Sequence, residues 1–212
     1  MKQSIRKINV SRETLLDARA LYKENVEVLE SYLDNLLQWN SKINLVSRTV
    51  SRETVREHVV HSLIPASLGL INLHEAWIDT GTGGGLPGIP LAIANPEKKW
   101  ILNDNVKKKM MAVSDIVRST GLNNCEVAAK SISLFGLEKG MGIVTKHAFK
   151  IDDLLRLLGS KPWKTIIMWK GMEGAIKEIE SSKKKLQFTL YEFNFGINEE
   201  FYEGKGLLKI ER

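Results

Sequence analysis

The stretch Trp77-Ile78-Asp79-Thr80-Gly81-Thr82-Gly83-Gly84-Gly85-Leu86-Pro87-Gly88 decides how the rest of the sequence is interpreted. An apolar run ends at Asp79, four glycines follow, and a helix is predicted to begin near Pro87. A sharp turn from strand to helix requires positive φ, which glycine adopts without steric cost. Because glycine also lets the backbone approach a ligand closely, the stretch predicts a binding turn at the carboxyl end of a strand. The alternative is a turn with a purely structural role.

Downstream of this turn, short β-rich runs alternate with helical stretches. The strands are predicted over residues 76–80, 100–104, 125–129, 143–146 and 165–169. The helices are predicted over residues 88–94, 106–119, 151–158 and 173–182. This alternation is typical of parallel βαβ units, and hence of an α/β fold. Residues 186–195 and 206–210 read as two strands with no helix between them, which predicts an antiparallel hairpin at the edge of the sheet.

The first third of the chain is predicted to be helical. Ser11 and Ser51 are candidate N-caps, and Pro65 and Gly69 mark the end of the second helix. One face of a single long amphipathic helix is formed by Leu15, Ala18, Tyr22, Val26, Leu29, Leu33 and Leu36. The sequence therefore divides into a helical N-terminal extension, residues 1–72, and a ligand-binding domain, residues 73–212.

Composition restricts the setting in which the chain works. The net charge of +6 and the pI near 9.3 permit a polyanionic partner such as RNA. The lone Cys125 cannot form an internal disulfide, so a reducing compartment and a cytoplasmic location are expected. Neither a signal peptide nor a membrane-spanning apolar run is recognised. The histidines show no metal-ligand spacing, so neither a metal nor a membrane partner is expected.

The glycine pattern also restricts the ligand. Counted from Gly81, the dinucleotide fingerprint G-x-G-x-x-G requires glycine at position 86, where Leu86 stands, and no lysine follows as in a P-loop. Asp79 with Gly81, Gly83 and Gly85 fits [DE]-x-G-x-G-x-G, which resembles the first motif of the class I S-adenosylmethionine methyltransferases. Asp104 ends the next strand, where a carboxylate accepts hydrogen bonds from ribose hydroxyls. The alternative is that Asp104 only caps the following helix.

The run from Ile78 to Glu97 resembles the cofactor loop of one bacterial family, the small-subunit ribosomal RNA guanosine methyltransferases called RsmG, or glucose-inhibited division protein B. Its continuation LPGIPLAI is more specific than the glycines. Further resemblances occur at Trp39-Asn40, Asn44-Leu45, His58, Ser62, Asp104, Lys108, Lys109, Ala148-Phe149 and Lys170-Gly171. Together they cover roughly residues 30–175. Glu57 and His147 stand where the family has arginine, and His61 stands where it has aspartate.

The resemblance implies a Rossmann-like class I methyltransferase with a seven-stranded, mostly parallel sheet and a helical N-terminal extension. It implies S-adenosyl-L-methionine as the cofactor, methylation of guanine ring nitrogen 7, and 16S ribosomal RNA or the small ribosomal subunit as the partner. Separately, the chain is expected to be a monomer. The implied cofactor-binding residues are Asp79, Gly81, Thr82, Gly83, Gly85, Leu86, Asp104, Ser131 and Ile132. The implied catalytic-site residues are His147 and Asn44, and the implied RNA-binding residues are Lys108, Lys109 and Lys146.

Several alternatives stay open at this point. For each lysine the alternative is a solvated surface charge, for His147 a strand-end residue, and for Asn44 a turn former. A diverged methyltransferase acting on another RNA or on a small molecule fits the same motifs. So does a non-catalytic RNA-binding relative, since two arginines of the family pattern are absent. A nicotinamide dehydrogenase is the remaining class, and Leu86 is the feature that disfavours it.

Overall fold

In a computed structural model of the protein, which describes residues 5–212, a single eight-stranded sheet carries helices on both faces. The strands are β1 (Ile5–Val10), β2 (Ala76–Thr80), β3 (Lys99–Asp104), β4 (Cys125–Ala129), β5 (Gly142–Lys146), β6 (Thr165–Gly171), β7 (Gln187–Phe193) and β8 (Lys205–Glu211). The α-helices are α1 (Arg12–Glu24), α2 (Val26–Asn40), α3 (Arg52–Ser67), α4 (Gly88–Ala94), α5 (Lys107–Ser119), α6 (Ile151–Leu158) and α7 (Met172–Ser181).

The strand order in the sheet is β1-β7-β8-β6-β5-β2-β3-β4. Strands β2 to β6 are mutually parallel, which confirms the predicted βαβ units. Strand β8 runs antiparallel to both β6 and β7, so the predicted C-terminal hairpin is confirmed. The parallel strands place all their carboxyl ends at one edge of the sheet, where the glycine turn lies.

The sheet has eight strands rather than seven because β1 pairs in parallel with β7. The sequence does not predict β1, since Arg6, Lys7 and Asn9 interrupt its apolar residues and only Val10 is buried. Charged residues are common on such edge strands, where they discourage pairing with other chains. The N-terminal segment is therefore helical after Val10 and part of the sheet before it.

The single long helix predicted over the first third is wrong, because the chain divides at Asn25 into α1 and α2. Asn25 leaves the helical region with φ −113° and ψ 20°, and its side-chain amide donates to Leu21 O at 2.9 Å. Asparagine competes in this way with backbone hydrogen bonding and favours helix ends. Val26, the first residue after the break, is exposed, while the other residues of the predicted face are buried.

The core joins the two predicted parts of the chain. Leu15, Leu33 and Val59 from the N-terminal helices lie in the same apolar cluster as Trp77 and Trp100 of the sheet. A second cluster on the opposite face contains the apolar sides of α6 and α7. The division of the chain between residues 72 and 73 stays a prediction. Among residues 5–212, no helix is long and apolar enough to cross a membrane.

Candidate functional site

A cleft of about 640 Å³ opens at the carboxyl ends of β2, β3 and β5. Its size is that of a typical small-molecule site, and it lies where open α/β sheets bind their ligands. The predicted site residues that line it are Gly81, Thr82, Gly83, Leu86, Asp104, Lys109, Ser131, Ile132, Lys146 and His147. The predicted site residues that do not line it are Asn44, Asp79, Gly85 and Lys108.

Asp79 lies beneath the glycine turn and holds it together. Its Oδ2 accepts hydrogen bonds from Thr82 Oγ1 at 2.6 Å and from Gly88 N at 2.8 Å, while its Oδ1 has no partner among residues 5–212. The side chain is completely buried, and this burial raises the pKa of Asp79 to about 7. The carboxyl group thus organises the loop from below and does not face the cleft.

The glycines of the turn serve different purposes. Gly81 has φ +71°, and a Cβ there would lie 2.5 Å from Ala148 Cβ, so this position lets the turn approach the segment after β5. Gly83 has φ +58°, and its Cβ position is open except for Leu45 O at 3.6 Å. Gly83 therefore gives the cleft an uncovered stretch of backbone. Gly85 faces the following helix, α4, where a Cβ would lie 2.4 Å from Ile89 Cδ1.

Asp104 connects the end of β3 to the glycine turn. Its Oδ2 accepts a hydrogen bond from Gly83 N at 3.2 Å, and its Oδ1 accepts one from Val106 N at 2.9 Å. The second bond supports the start of α5, as the capping alternative predicts. Because Asp104 also lines the cleft, capping the helix and facing a ligand are compatible for this carboxylate.

The neighbouring Asn103 was not predicted and fixes the floor of the site. Its Oδ1 accepts from Thr80 Oγ1 at 3.1 Å, and its Nδ2 donates to Ala128 O and Lys130 O. The side chain therefore joins the ends of β2, β3 and β4. A polar residue directly before Asp104 in an otherwise apolar strand is the sequence signal that could have identified it.

Ser131 and Ile132 follow β4 and form another part of the wall. Ile132 is buried, whereas Ser131 is half-buried and accepts a hydrogen bond from Ser133 N at 3.3 Å. Both residues lie at the start of a short 3-10 turn, Ile132–Leu134. Their position after the next strand from Asp104 agrees with the predicted adenine pocket, and their role stays a prediction.

The opposite wall combines the end of β5 with α3. Lys146 is buried, and its Nζ donates to His58 O at 2.8 Å and lies 3.3 Å from both His58 Nδ1 and Ser62 Oγ. Burial lowers the pKa of Lys146 to about 7 and that of His58 to about 3. Lys146 therefore lies inside the wall of the cleft. The predicted contact with an RNA phosphate would require its ammonium at the surface. His147 follows with φ +56° and is exposed at the cleft.

The segment between α2 and α3 covers the cleft next to Gly83. Asn40 Oδ1 accepts hydrogen bonds from Leu45 N and Val46 N, both at 2.9 Å. This asparagine therefore shapes the loop that brings Leu45 and Val46 to the site. Asn44 is exposed on the same loop and does not line the cleft.

Comparison with known proteins identifies the family. A family model described as rRNA small subunit methyltransferase G matches residues 25–197. The chain belongs to this family. A ribosomal RNA small subunit methyltransferase G from Bacteroides fragilis is 28% identical over 197 residues, which cover 89% of this chain and 91% of the relative. One from Chlorobium limicola is 43% identical over 104 residues, or 49% of this chain and 47% of the relative.

A solved structure supports the fold of this rRNA small subunit methyltransferase G family member. The chain resembles an O-methyltransferase from Bacillus cereus in complex with SAH, with a TM-score of 0.56 and 16% identity. The superposition covers 86% of this chain and 91% of the other. The Rossmann-like methyltransferase fold is thereby confirmed.

A second count along the sequence corrects one argument from the glycines. Counted from Gly83 instead of Gly81, the dinucleotide fingerprint is satisfied by Gly83, Gly85 and Gly88, so Leu86 does not exclude a nicotinamide dinucleotide. Gly88 even packs closely on β3, since a Cβ there would lie 2.4 Å from Leu102 Cδ2. The glycine spacing alone is thus compatible with both ligand classes. The family match is what favours the methyltransferase.

Glu57 and His61, two residues at which the chain departs from the family pattern, lie in different surroundings. Glu57 Oε2 accepts a hydrogen bond from Tyr202 OH at 2.8 Å and lies 3.8 Å from Arg19. His61 is buried among aromatic rings, and neither of its ring nitrogens has a partner within residues 5–212. Burial lowers the pKa of His61 well below its ordinary value, so this ring is neutral. In the same described range, no group of three or more His, Cys, Asp and Glu side chains is arranged to hold a metal ion.

Proposed function

We propose that this chain transfers a methyl group from S-adenosylmethionine to ring nitrogen 7 of a guanine in small-subunit ribosomal RNA. The observation that carries the proposal is the Asp104 carboxylate, which lies beside the open backbone of Gly83 in a cleft of about 640 Å³. Membership of the rRNA small subunit methyltransferase G family supports the substrate class.

The residues of the cleft fit an adenosyl cofactor. Each oxygen of Asp104 accepts one hydrogen bond from the protein, so further lone pairs are available to ribose hydroxyl donors. Ser131 and Ile132 line the cleft and are the candidates for contact with the adenine, and Gly83 is the candidate for the methionine part. Asp79 supports this arrangement indirectly, because it fixes Thr82 and Gly88 at the two ends of the turn.

The chemistry asks little of the protein beyond positioning. S-adenosylmethionine supplies a methyl group that is activated by attachment to a sulfonium. Guanine nitrogen 7 has a lone pair and no proton, so no general base has to remove a proton from it. The protein's residues then hold the base in line with the methyl group and exclude water. Positioning of this kind raises the effective molarity of the reactants and is the main source of the rate enhancement. His58, His147 and Phe149 line the cleft and are candidates for this task.

The rim of the cleft offers contacts for the RNA backbone. Lys109 is half-buried and lines the cleft, and Lys108 is exposed beside it on α5. Such lysines give affinity for phosphates without reading the sequence. Asn44, exposed on the loop between α2 and α3, is the other candidate for substrate contact. We infer further that the chain acts in the cytoplasm as a monomer on 16S ribosomal RNA or the small subunit.

The proposal is tested by incubating the full chain with methyl-labelled S-adenosylmethionine and either small ribosomal subunits or purified ribosomal RNA. Mass spectrometry of the digested nucleosides is expected to show label in 7-methylguanosine. Label in a different nucleoside would overturn the assignment of the atom. Label only in small molecules, or binding of the cofactor without transfer to any RNA, would favour the diverged enzyme or the non-catalytic relative.

A further inference from the structure

Lys146 occupies an unusual position for a lysine. It ends β5 inside the wall of the cleft with only 8% of its surface exposed, and it forms no ion pair with a carboxylate among residues 5–212. Buried lysines without an anionic partner are costly, because the ammonium loses its hydration. The burial of Lys146 therefore has to be offset by the hydrogen bonds of its ammonium group.

Three atoms of α3 lie within hydrogen-bond distance of Lys146 Nζ. They are His58 O at 2.8 Å, His58 Nδ1 at 3.3 Å and Ser62 Oγ at 3.3 Å. Ser62 donates its own hydroxyl proton to His58 O at 2.8 Å, so its oxygen is free to accept from Lys146. When His58 Nδ1 accepts as well, each of the three ammonium protons has a partner on α3, and none is left for an RNA phosphate.

This contact determines where His58 carries its proton. A neutral imidazole has one N–H donor and one acceptor nitrogen, and the neighbours decide which is which. If Nδ1 accepts from the Lys146 ammonium, the proton of the ring stands on Nε2. His58 lines the cleft, and its Nε2 makes no hydrogen bond within residues 5–212, so this nitrogen keeps a donor position free for a ligand.

We propose that Lys146 is a positioning residue, which holds His58 in the tautomer protonated at Nε2 and thereby presents a hydrogen-bond donor to the target base. The inference rests on the proposed function, in which guanine nitrogen 7 is methylated. On the edge of the base that contains nitrogen 7, guanine carries the acceptor O6, whereas adenine carries an amino donor at the same position. A fixed N–H donor in the wall can therefore bond to O6 of guanine, whereas it would face the amino donor of adenine.

The protonation state of Lys146 makes the arrangement sensitive to pH. Burial and the charge of Lys205 lower the pKa of Lys146 to about 7, and the Asp79 carboxylate opposes that shift. His58, His61 and His147 are the other titratable groups near it, and burial favours the neutral form of each. A neutral amine at Lys146 can accept from Nδ1–H, which would move the ring proton away from Nε2. We therefore expect kcat/KM for RNA to fall as pH rises through about 7.

Nitrogen NMR of the full chain with labelled histidine tests the first step without any substrate. At about pH 6 we expect a neutral His58 protonated at Nε2, assigned by its loss in His58→Ala. Lys146→Met should abolish this preference, and the matched variant Lys109→Met, which removes another cleft lysine that has no bond to His58, should retain it. A proton on Nδ1 in the natural chain, or the same tautomer in Lys146→Met, would overturn the proposal.

Kinetics with small subunits test the consequence. Because a neutral hydrogen bond is lost, Lys146→Met and His58→Ala should each lower kcat/KM by about three- to tenfold. The double variant should be no worse than His58→Ala alone, since both changes remove the same contact. Cofactor affinity should stay within about twofold, and the fall in rate through about pH 7 should be absent from Lys146→Met.

Additive losses in the double variant, or parallel pH profiles in the natural chain and Lys146→Met, would mean that Lys146 does not act through His58. If the Lys146→Met variant does not fold, the tautomer of His58 and the pH profile of the natural chain decide the question. Should the natural chain methylate no guanine, the proposed function fails, while the tautomer measured by NMR still decides whether Lys146 positions His58.

Discussion

At the scale of single residues, Asp104 offers the most direct test of the cofactor site. We expect Asp104→Ala to reduce the affinity for S-adenosylmethionine at least about tenfold, because hydrogen bonds to a charged group are worth about 1.5–3 kcal/mol. Isothermal titration calorimetry measures this effect. Asp153→Ala is the matched control, since Asp153 is exposed on α6 and does not line the cleft. Equal affinity of the two variants would remove Asp104 from the site.

Asp79 gives a second residue-scale prediction, on stability against pH. Its folded-state pKa of about 7 lies above the ordinary value of 3.8, so between these values the folded chain holds a proton that the unfolded chain has lost. The contribution of Asp79 to the free energy of unfolding therefore falls as pH rises from about 4 to 7, by at most about 1.4 kcal/mol per pH unit.

Asp79→Asn isolates this contribution, because the amide oxygen can still accept from Thr82 and Gly88 while the side chain stays neutral at every pH. Urea denaturation at several pH values should show the natural chain losing stability relative to the variant across this window. A difference that stays constant or grows in favour of the natural chain would contradict the raised pKa.

The sequence locates site residues along the chain better than it predicts where their side chains point. The ends of the parallel strands must meet at one edge, so Gly83, Asp104 and Ser131 could be brought together from the strand pattern alone. Asp79 lies one residue before the end of β2 and Lys146 ends β5, yet Asp79 points beneath the turn and Lys146 points toward α3. The strand pattern does not contain these directions, because they depend on packing against elements distant in sequence.

At the scale of elements, the two predicted helix caps differ. Ser51 Oγ accepts a hydrogen bond from Thr54 N at 3.1 Å, whereas Ser11 makes no side-chain cap bond and donates instead to Glu13. We expect Ser51→Ala to lower the free energy of unfolding by about 1 kcal/mol, and Ser11→Ala to have a clearly smaller effect. Thermal denaturation of both variants provides the comparison. A larger loss for Ser11→Ala would show that the caps are assigned wrongly.

The sequence predicts elements that have a clear pattern of apolar residues. It does not predict elements that form only because a distant part of the chain pairs with them. The runs that became β2 and β4 are apolar enough to be recognised with their observed bounds. Strand β1 has one buried residue and exists because β7 offers it an edge. The break at Asn25 interrupts an otherwise continuous apolar face, and periodicity alone passes over a single competing side chain.

At the scale of the whole molecule, the N-terminal helices are part of the site as well as of the core. Tyr32 OH donates to Gly84 O at 3.0 Å, and a Cβ at Gly84 would lie 2.6 Å from Leu36 Cδ1. Helix α2 therefore packs directly under the glycine turn. One apolar cluster contains residues from both sides of the predicted boundary at 72 and 73, so each side covers apolar surface of the other.

We therefore expect the full chain to unfold in one cooperative transition, with no intermediate in which the sheet persists without the helices. Tryptophan fluorescence is a suitable probe, since Trp39 lies in the helical part and Trp77 and Trp100 lie in the sheet. In guanidinium, the fluorescence curve of the Trp39→Phe variant, which follows mainly the sheet, should coincide with the loss of helical circular dichroism. Two separated transitions would show that the regions before and after the boundary fold independently. In that case the contact between Tyr32 and the glycine turn would be a docking contact between domains.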